Sequence, residues 1–449
     1  MTVNSHNADR IRPCPEHPTY WQYCGRPVLL LGGSVEDNLF QIPDLTGQLD
    51  LLRSVGGNYV RCTMSSRDEG NVWAFAQDPA DGRYDLRRPN PEYWRRFSEF
   101  LEQTARREIV VQIEIWATFD YYRDFWDANP FNPKNNRTYT AGETHLPEAV
   151  ATHPIHAENP FFRTTAARGG PEKLLRCQQA FVDAILSHSL RYDHVLYCMD
   201  NETSVTGAWG AYWSRYVQAK ADEAGVGVET TEMWDPHDLG HPMHRNTFDH
   251  PEIYSFVEVS QNNHQAGQAH WDHLMEARRG LADAGRLRPV NNVKVYGADG
   301  GPFGSSRDAQ ERFWRNLFAG CASARFHRPP SGLGLSPPAQ AHLRSARMLT
   351  DALGVFDCRA ANDLLGRRED NEAYCLAGPD RACAVFLPDG GDVDLDASAF
   401  PVGRTLRLRW LDIAAGRWVE PAQDVPADAA VPLRPPGRGF WAGLLTAAP

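Results

Sequence analysis

The sequence predicts an α/β protein, a (β/α)8 TIM barrel followed by a small C-terminal antiparallel β-sandwich, and three observations predict it. Up to Phe356, short apolar runs alternate with amphipathic helical stretches. Many of those runs end abruptly on a carboxylate, Arg, His or Asn. The sharpest case is Val195-Leu196-Tyr197-Cys198-Met199, followed by Asp200-Asn201-Glu202. Barrels of this kind keep their active sites at the C-terminal ends of the strands, so the pattern reads as an enzyme. Beyond Phe356 the texture changes to short alternating runs broken by Gly, Pro and Asp, the pattern of strands joined by turns.

The elements follow in order. Pro27 to Leu31 is the first strand, and Asp44 to Val55 a helix stopped by Gly56-Gly57. Tyr59 to Thr63 is the second strand. Pro91 to Arg107 is a helix with Trp94, Phe97, Phe100 and Leu101 on one face and Pro in its first turn, where a missing N–H does no harm. Ile109 to Trp116 is strand three. A polar and aromatic connection from Asp120 to about Gly170 is far longer than a usual loop, and such loops tend to be lids or binding loops. Pro171 to His188 is helical and His194 to Met199 is strand four. Trp209 to Ala224 is helical, and Val228 to Glu232 and Tyr254 to Val259 are strands five and six. A helix over Ala269 to Ala284 leads to strand seven at Val293 to Tyr296. A helix over Asp308 to Gly320 leads to strand eight at Ser323 to His327, and Pro338 to Leu353 closes the ring. The sandwich strands are expected at Ala373 to Leu376, Cys383 to Leu387, Leu406 to Leu411, Arg417 to Glu420 and Gly439 to Leu444. The division is therefore an N-terminal extension over residues 1–25 packing on the barrel, a barrel over 26–356 and a sandwich over 357–449.

Composition sets the partners. With 449 residues, 42% hydrophobic, the chain has material for a large core, and its formal charge of -11 argues against nucleic acid or an anionic membrane. No apolar stretch approaches the ~20 residues that span a bilayer. The opening Met1-Thr2-Val3-Asn4-Ser5-His6 lacks the features of a secretory signal. The nine cysteines are odd in number and scattered through expected strands and helices, as reduced core thiols are. A cytoplasmic location is expected, with a trimmed secreted or periplasmic form as the competing account.

Two patches carry a family resemblance. His17-Pro18-Thr19-Tyr20-Trp21 with Gly25-Arg26-Pro27-Val28-Leu29-Leu30-Leu31-Gly32-Gly33 looks like the entry to the barrel of apiosidase-like glycoside hydrolases. Phe313-Trp314-Arg315-Asn316-Leu317-Phe318-Ala319-Gly320, followed by a sandwich containing Arg409-Trp410-Leu411-Asp412, resembles the same group, whose small terminal domain is of a collagen-binding type. The resemblance implies a clan of retaining barrel glycosidases in which an Asn-Glu pair ends strand four and a second carboxylate ends strand seven. The expected activity is hydrolysis of O-glycosidic bonds in a plant, algal or microbial glycan.

Carried onto this chain, Asn201-Glu202 matches the Asn and acid/base pair. Hydrolysis needs a proton for the leaving oxygen, and a Glu at a strand end among aromatics can hold one near neutral pH. Asn201 would bond the hydroxyl beside the reacting carbon. The second carboxylate departs from the pattern, because Val293-Lys294-Val295-Tyr296-Gly297-Ala298-Asp299 offers Asp late where the clan has Glu. Retention wants carboxyls about 5–5.5 Å apart and inversion about 6.5–9.5 Å, so a shorter Asp leaves both open. Asp299 is the first choice of partner and Glu232 the second, with Glu114, Asp235, Glu258 and Asp37 behind them. Each is equally read as an ion-pair partner in the barrel.

Substrate contacts are expected from Arg61, which the resemblance implies would orient the nucleophile, from Asp37 with Glu36 and Asn38, and from Glu114, Asp235 and Asn262. Arg325, His327 and Arg328 add positive charge at strand eight, which suits an acidic sugar or else neutralises the acidic ring. Trp116 and Trp234, with Trp209 and Trp73, are candidates for stacking on a pyranose ring or for the core. Three His and two Asp lie within Asp235-Pro236-His237-Asp238-Leu239-Gly240-His241-Pro242-Met243-His244, but Gly240 and Pro242 break metal-ligand spacing, so a hydrogen-bonding loop is expected and no metal. The Gly-rich run from Gly297 to Gly304 lacks a phosphate-loop signature, so no cofactor is expected. The rival functions are a lyase-like elimination on a uronic acid, with His or Tyr near strand eight as base, and a catalytically silent carbohydrate-binding barrel.

Overall fold

The structure, a computed structural model, describes residues 9–153, 158–165, 169–378, 382–397, 405–426 and 430–447. Eight parallel strands form the barrel: β1 (Leu30–Gly33), β2 (Tyr59–Thr63), β3 (Val110–Trp116), β4 (Val195–Asp200), β5 (Thr230–Thr231), β6 (Val257–Glu258), β7 (Val290–Asn291) and β8 (Ser323–Phe326). Six of them pair in the order β5-β4-β3-β2-β1-β8, so first and last strands meet through Leu30 opposite Ser323. β6 pairs with β7, and Ala322 N donates to Val290 O at 2.8 Å to join β7 to β8. Between β5 and β6 the ring is bridged by side chains, with Thr231 Oγ1 donating to Phe256 O at 2.8 Å. Every residue of β1 to β5 is buried, because helices cover a parallel sheet from outside while side chains fill it from inside.

Each strand leads to a helix. These are Leu45–Ser54, Pro91–Arg106, Glu172–Ser189, Gly207–Glu223, the short Pro242–Phe248, Gly267–Asp283, Ser306–Phe318 and Pro337–Leu353. Their starts follow local chemistry. Asn90 accepts from Glu92 N at 3.1 Å ahead of Pro91, and Ser305 with Asp308 forms a reciprocal capping box. Gly32 lets β1 lie against β2, since a Cβ there would sit 1.9 Å from Tyr59 O.

The first strand differs from expectation. Arg26–Val28 pairs antiparallel with Trp21–Tyr23, which in turn pairs with Arg12–Pro13, and the barrel begins only at Leu30. Strand seven begins earlier than expected, at Val290, and Val295 bridges Phe326 beyond the ladder. The long connection after β3 contains short helical turns at Arg123–Ala128, Ala141–Thr144 and Pro160–Arg163. Asn side chains tie it down: Asn132 Nδ2 donates to both Trp126 O at 3.0 Å and Glu148 O at 2.9 Å.

The C-terminal strands form two antiparallel sheets. One runs Arg359–Ala360, Tyr374–Ala377, Cys383–Leu387, Trp441–Ala447, Thr405–Asp412 and Arg417–Pro426, and the other Leu365–Gly366, Val393–Asp396 and Ala430–Leu433. Leu406, Leu408 and Trp410 alternate inward toward Val385 and Leu395. The sandwich rests on the barrel through Trp314, which stacks on Phe386 at 5.4 Å and 17°. Among the described residues no helix is long and apolar enough to cross a membrane.

Candidate active site

A cavity of about 450 Å³ opens at the C-terminal ends of the strands. Its lining includes Asp37 after β1, Arg61 on β2 with Arg67 beyond it, Asn201 and Glu202 after β4, and Asp235 after β5. Gln261 after β6, Lys294 and Tyr296 after β7, and His327 and Arg328 after β8 complete its polar wall.

Glu202 sits at the centre of the chemistry. Its φ of 53° is left-handed, a conformation non-glycine residues rarely keep without cause, and it is 9% exposed. Lys294 Nζ and Tyr296 OH both donate to the same oxygen, Oε1, and Lys294 Nζ also donates to Asn201 Oδ1 at 2.9 Å. Oε2 accepts no hydrogen bond from the described residues, which leaves it for the cavity. Burial would raise the Glu202 carboxyl, but Lys294, Tyr296 and Arg61 outweigh it and hold the group below the ordinary carboxylate range. Glu202 is therefore ionised at neutral pH.

A second polar cluster forms around Asp37. Arg61 Nη1 lies 2.9 Å from Asp37 Oδ2, His327 Nε2 3.3 Å and Arg328 Nε 3.4 Å, while Arg325 Nη2 is 3.6 Å from Oδ1. Arg61 also grips Glu114 bidentately, at 2.7 Å and 2.6 Å. Burial would raise Asp37, but Arg61, His327 and Arg325 hold it well below its ordinary value. Burial pulls His327 down to about 4, so its ring is neutral, with Nδ1 2.9 Å from Ser331 Oγ.

Asp235 differs from both. Thr203 bridges Trp234, and Asp235 N donates to Thr203 O at 2.9 Å, so Asp235 stands beside the residue that follows Glu202. Its side chain is 41% exposed, with His153 Nδ1 3.8 Å away. Burial and then the charge of Glu202 raise its carboxyl. The apolar wall comes from His264, Tyr296 and Phe303, whose rings lie 4.8–4.9 Å apart, and from Phe119 and Phe125. Burial brings His264 down to about 3, so this wall is uncharged.

The cavity thus collects Glu202, Asn201, Asp37, Arg61, Asp235 and His327 of the residues singled out by sequence, and Arg328 with them. Others lie elsewhere. Asp299 is exposed and caps the helix Ser306–Phe318, its Oδ1 accepting from Ser306 N at 2.9 Å. The strand-seven position it was expected to fill holds Lys294. Glu232 lies beneath β4, accepting from Asp200 N and Met233 N, both at 2.9 Å. Burial and the neighbouring Asp200 raise it well above the usual range, so these two acids share a proton. Glu114 and Arg325 are fully buried and outside the cavity lining, Glu114 held by Arg61 and Arg325 beside Asp37. Asn262 donates to His270 O at 2.8 Å, and Trp116 and Trp234 are core side chains, the latter bonded to Thr247 Oγ1 at 2.7 Å. Glu258 accepts from Gln112 inside the barrel.

Sequence reasoning missed Lys294, Tyr296, Gln261 and His264. The alternation Asn292, Lys294, Tyr296 was the available signal, since period-two spacing puts all three on one side of a strand. In the loop after β5, His244 Nε2 pairs with Pro236 O at 2.9 Å and His241 caps the helix Pro242–Phe248, so these two serve hydrogen bonding, whereas His237 lines the cavity and stacks on His264 at 3.5 Å.

Among the solved structures similar over nearly the whole chain are two glycoside hydrolases. One is a glycoside hydrolase at 11% identity, covering 99% of this chain and 98% of its own with a TM-score of 0.67. The other is a glycoside hydrolase family 5 protein from Bacteroides vulgatus ATCC 8482 at 12% identity, covering 99% and 95% with a TM-score of 0.63. At such identities the likeness establishes the shared fold. No family model matches the chain, and no curated protein does.

Proposed function

We propose that the chain is a glycosidase, a hydrolase that cleaves O-glycosidic bonds of a glycan with two carboxyl groups. The observation that carries this reading is Glu202: a strained, buried, ionised carboxylate at the end of β4, with one oxygen anchored and the other facing a sugar-sized cavity. The fold shared with glycoside hydrolases supports it. So does the neighbouring Asn201, placed to meet a hydroxyl beside the reacting carbon. An acidic or substituted sugar belongs to the same proposal, supported by Arg67 at the cavity wall, whose Nη1 makes no hydrogen bond and whose guanidinium is held by long ion pairs with Asp120 at 4.0 Å and Asp37 at 3.9 Å. The apiosidase-like affinity and the collagen-binding type of the sandwich are part of it too, on the motifs at His17-Pro18 and Phe313-Trp314. A cytoplasmic setting fits nine cysteines that are all free thiols, and a thiol titration without reductant that returned fewer than nine would count against it.

One observation favours a second reading. Lys294 stands where a strand-seven carboxylate was expected, which suits a barrel that binds carbohydrate without cleaving it. Elimination is less favoured, because Tyr296 OH donates to Glu202 and both His327 nitrogens face partners. Incubation of the protein with a broad glycan panel separates the three. New reducing ends without ultraviolet absorbance support hydrolysis. Unsaturated uronides support elimination, and binding without turnover supports the silent barrel.

A further inference from the structure

Clan-like chemistry would make Glu202 the proton donor and a strand-seven carboxylate its partner, but this chain cannot use that division. Lys294 and Tyr296 both donate to Glu202 Oε1, and a proton on the open Oε2 would leave the buried Lys294 ammonium against a neutral carboxyl, without its counter-charge. A second carboxyl must therefore supply the proton, and it must reach the cavity beside Glu202. Asp37 is enclosed by Arg61, Arg325, Arg328 and His327. Asp235 is the remaining carboxyl of the cavity lining, held next to Glu202 by its backbone bond to Thr203 and free to reach the cavity with its side chain.

We propose that Asp235, at the end of β5, is the general acid/base of this site, and that Glu202 is the nucleophile. The inference rests on the hydrolase reading. In the first step Glu202 Oε2 forms a bond to the anomeric carbon while the bond from that carbon to the leaving oxygen breaks. The electron pair goes to the leaving oxygen, which takes the proton of Asp235. In the second step Asp235, now a carboxylate, takes a proton from water, the water oxygen bonds to the anomeric carbon, and Glu202 leaves as a carboxylate. The reacting pair thus lies on neighbouring strands, β4 and β5. The groups facing Asp235 are Glu202, His153, Lys294 and His237; the negative charge of Glu202 favours the protonated form it needs before the first step.

The test compares leaving groups, using the sugar identified by the panel as its natural linkage and as its 2,4-dinitrophenyl glycoside. In Asp235→Asn, kcat/KM on the natural linkage should fall by about 10²- to 10⁴-fold, the usual contribution of a general acid. On the dinitrophenyl glycoside, whose departure needs no proton, the first step should fall less than tenfold and lose the basic limb of its pH profile. Asp235 binds the fold through its backbone, so Asn leaves the structure intact, and an unchanged thermal midpoint checks this. Equal losses on both substrates, or a basic limb that persists in Asp235→Asn, overturn the assignment. A wild-type protein that binds glycans without cleaving any overturns the hydrolase reading itself, and this inference falls with it.

Discussion

Replacing Lys294 by Met isolates the device that keeps Glu202 charged. The ammonium and carboxylate touch in a buried setting, with Lys294 1% and Glu202 11% exposed at the side chain. Two unit charges about 4 Å apart at an effective dielectric of about 20 interact by about 4 kcal/mol, and at about 1.4 kcal/mol per unit that corresponds to about 3 pKa units. Tyr296 still donates in the variant, so a rise of about 2–3 units is expected. The sign follows from linkage. In the wild type the Glu202 carboxyl is depressed, so its contribution to stability is present above the ordinary carboxyl range and disappears as pH falls through the depressed value. In Lys294→Met the carboxyl climbs back toward its unfolded value, so most of that contribution is lost and the difference from the wild type is largest above the ordinary carboxyl range. Urea denaturation from about pH 3 to about pH 8 should show the variant about 3–4 kcal/mol less stable at neutral pH, with the deficit holding down to about pH 5 and shrinking below about pH 4. The same substitution made in Glu202→Gln should cost far less, because no carboxylate is left unpaired. A deficit that is independent of pH, or equal in both backgrounds, would refute the charge pairing.

Three further outcomes are expected. Glu232→Gln should flatten the fall in stability between about pH 4 and pH 7, because Asp200, raised to about 7 by burial, shares its proton with Glu232 and folded carboxyls raised above their unfolded values lose stability as pH increases; thermal midpoints at pH 4.5 and 8 check this. Gln261→Leu should leave stability intact and raise KM by up to about tenfold, since both side-chain polar atoms of Gln261 lack partners at the cavity wall and a neutral hydrogen bond is worth about 1 kcal/mol. Gly32→Ala should cost about 3 kcal/mol or more and reduce soluble yield, because its Cβ would collide with Tyr59 O across the β1–β2 join.

The barrel was legible because its inner strands are long apolar runs with polar ends. β2, β3, β4 and β8 fall within two residues of where their hydrophobic runs placed them. β5, β6 and β7 are two-residue ladders, too short to carry a clear period, and strand seven was therefore misplaced. That misplacement directed attention to Asp299, three residues beyond Tyr296, whereas the chain at Gly297 turns with a φ of 127° and takes Asp299 out to solvent. In the sandwich, Arg359–Ala360 and Leu365–Gly366 were missed for a similar reason, having two residues each, and the four-residue strands Val393–Asp396 and Ala430–Leu433, which complete the smaller sheet, were missed with them. The Asn201-Glu202 pair could be read from its abrupt polarity after an apolar strand. Trp116 and Trp234 could not be assigned between core and cavity, because a tryptophan has the same apolar face in either place.

Glu202→Gln tests the central claim most directly, since the amide keeps the shape of the side chain and removes the ionised oxygen that faces the cavity. With the substrate found in the panel, turnover should fall by about 10⁴-fold or more while the variant still binds the glycan. Turnover within tenfold of the wild type would contradict Glu202 as the reacting carboxylate.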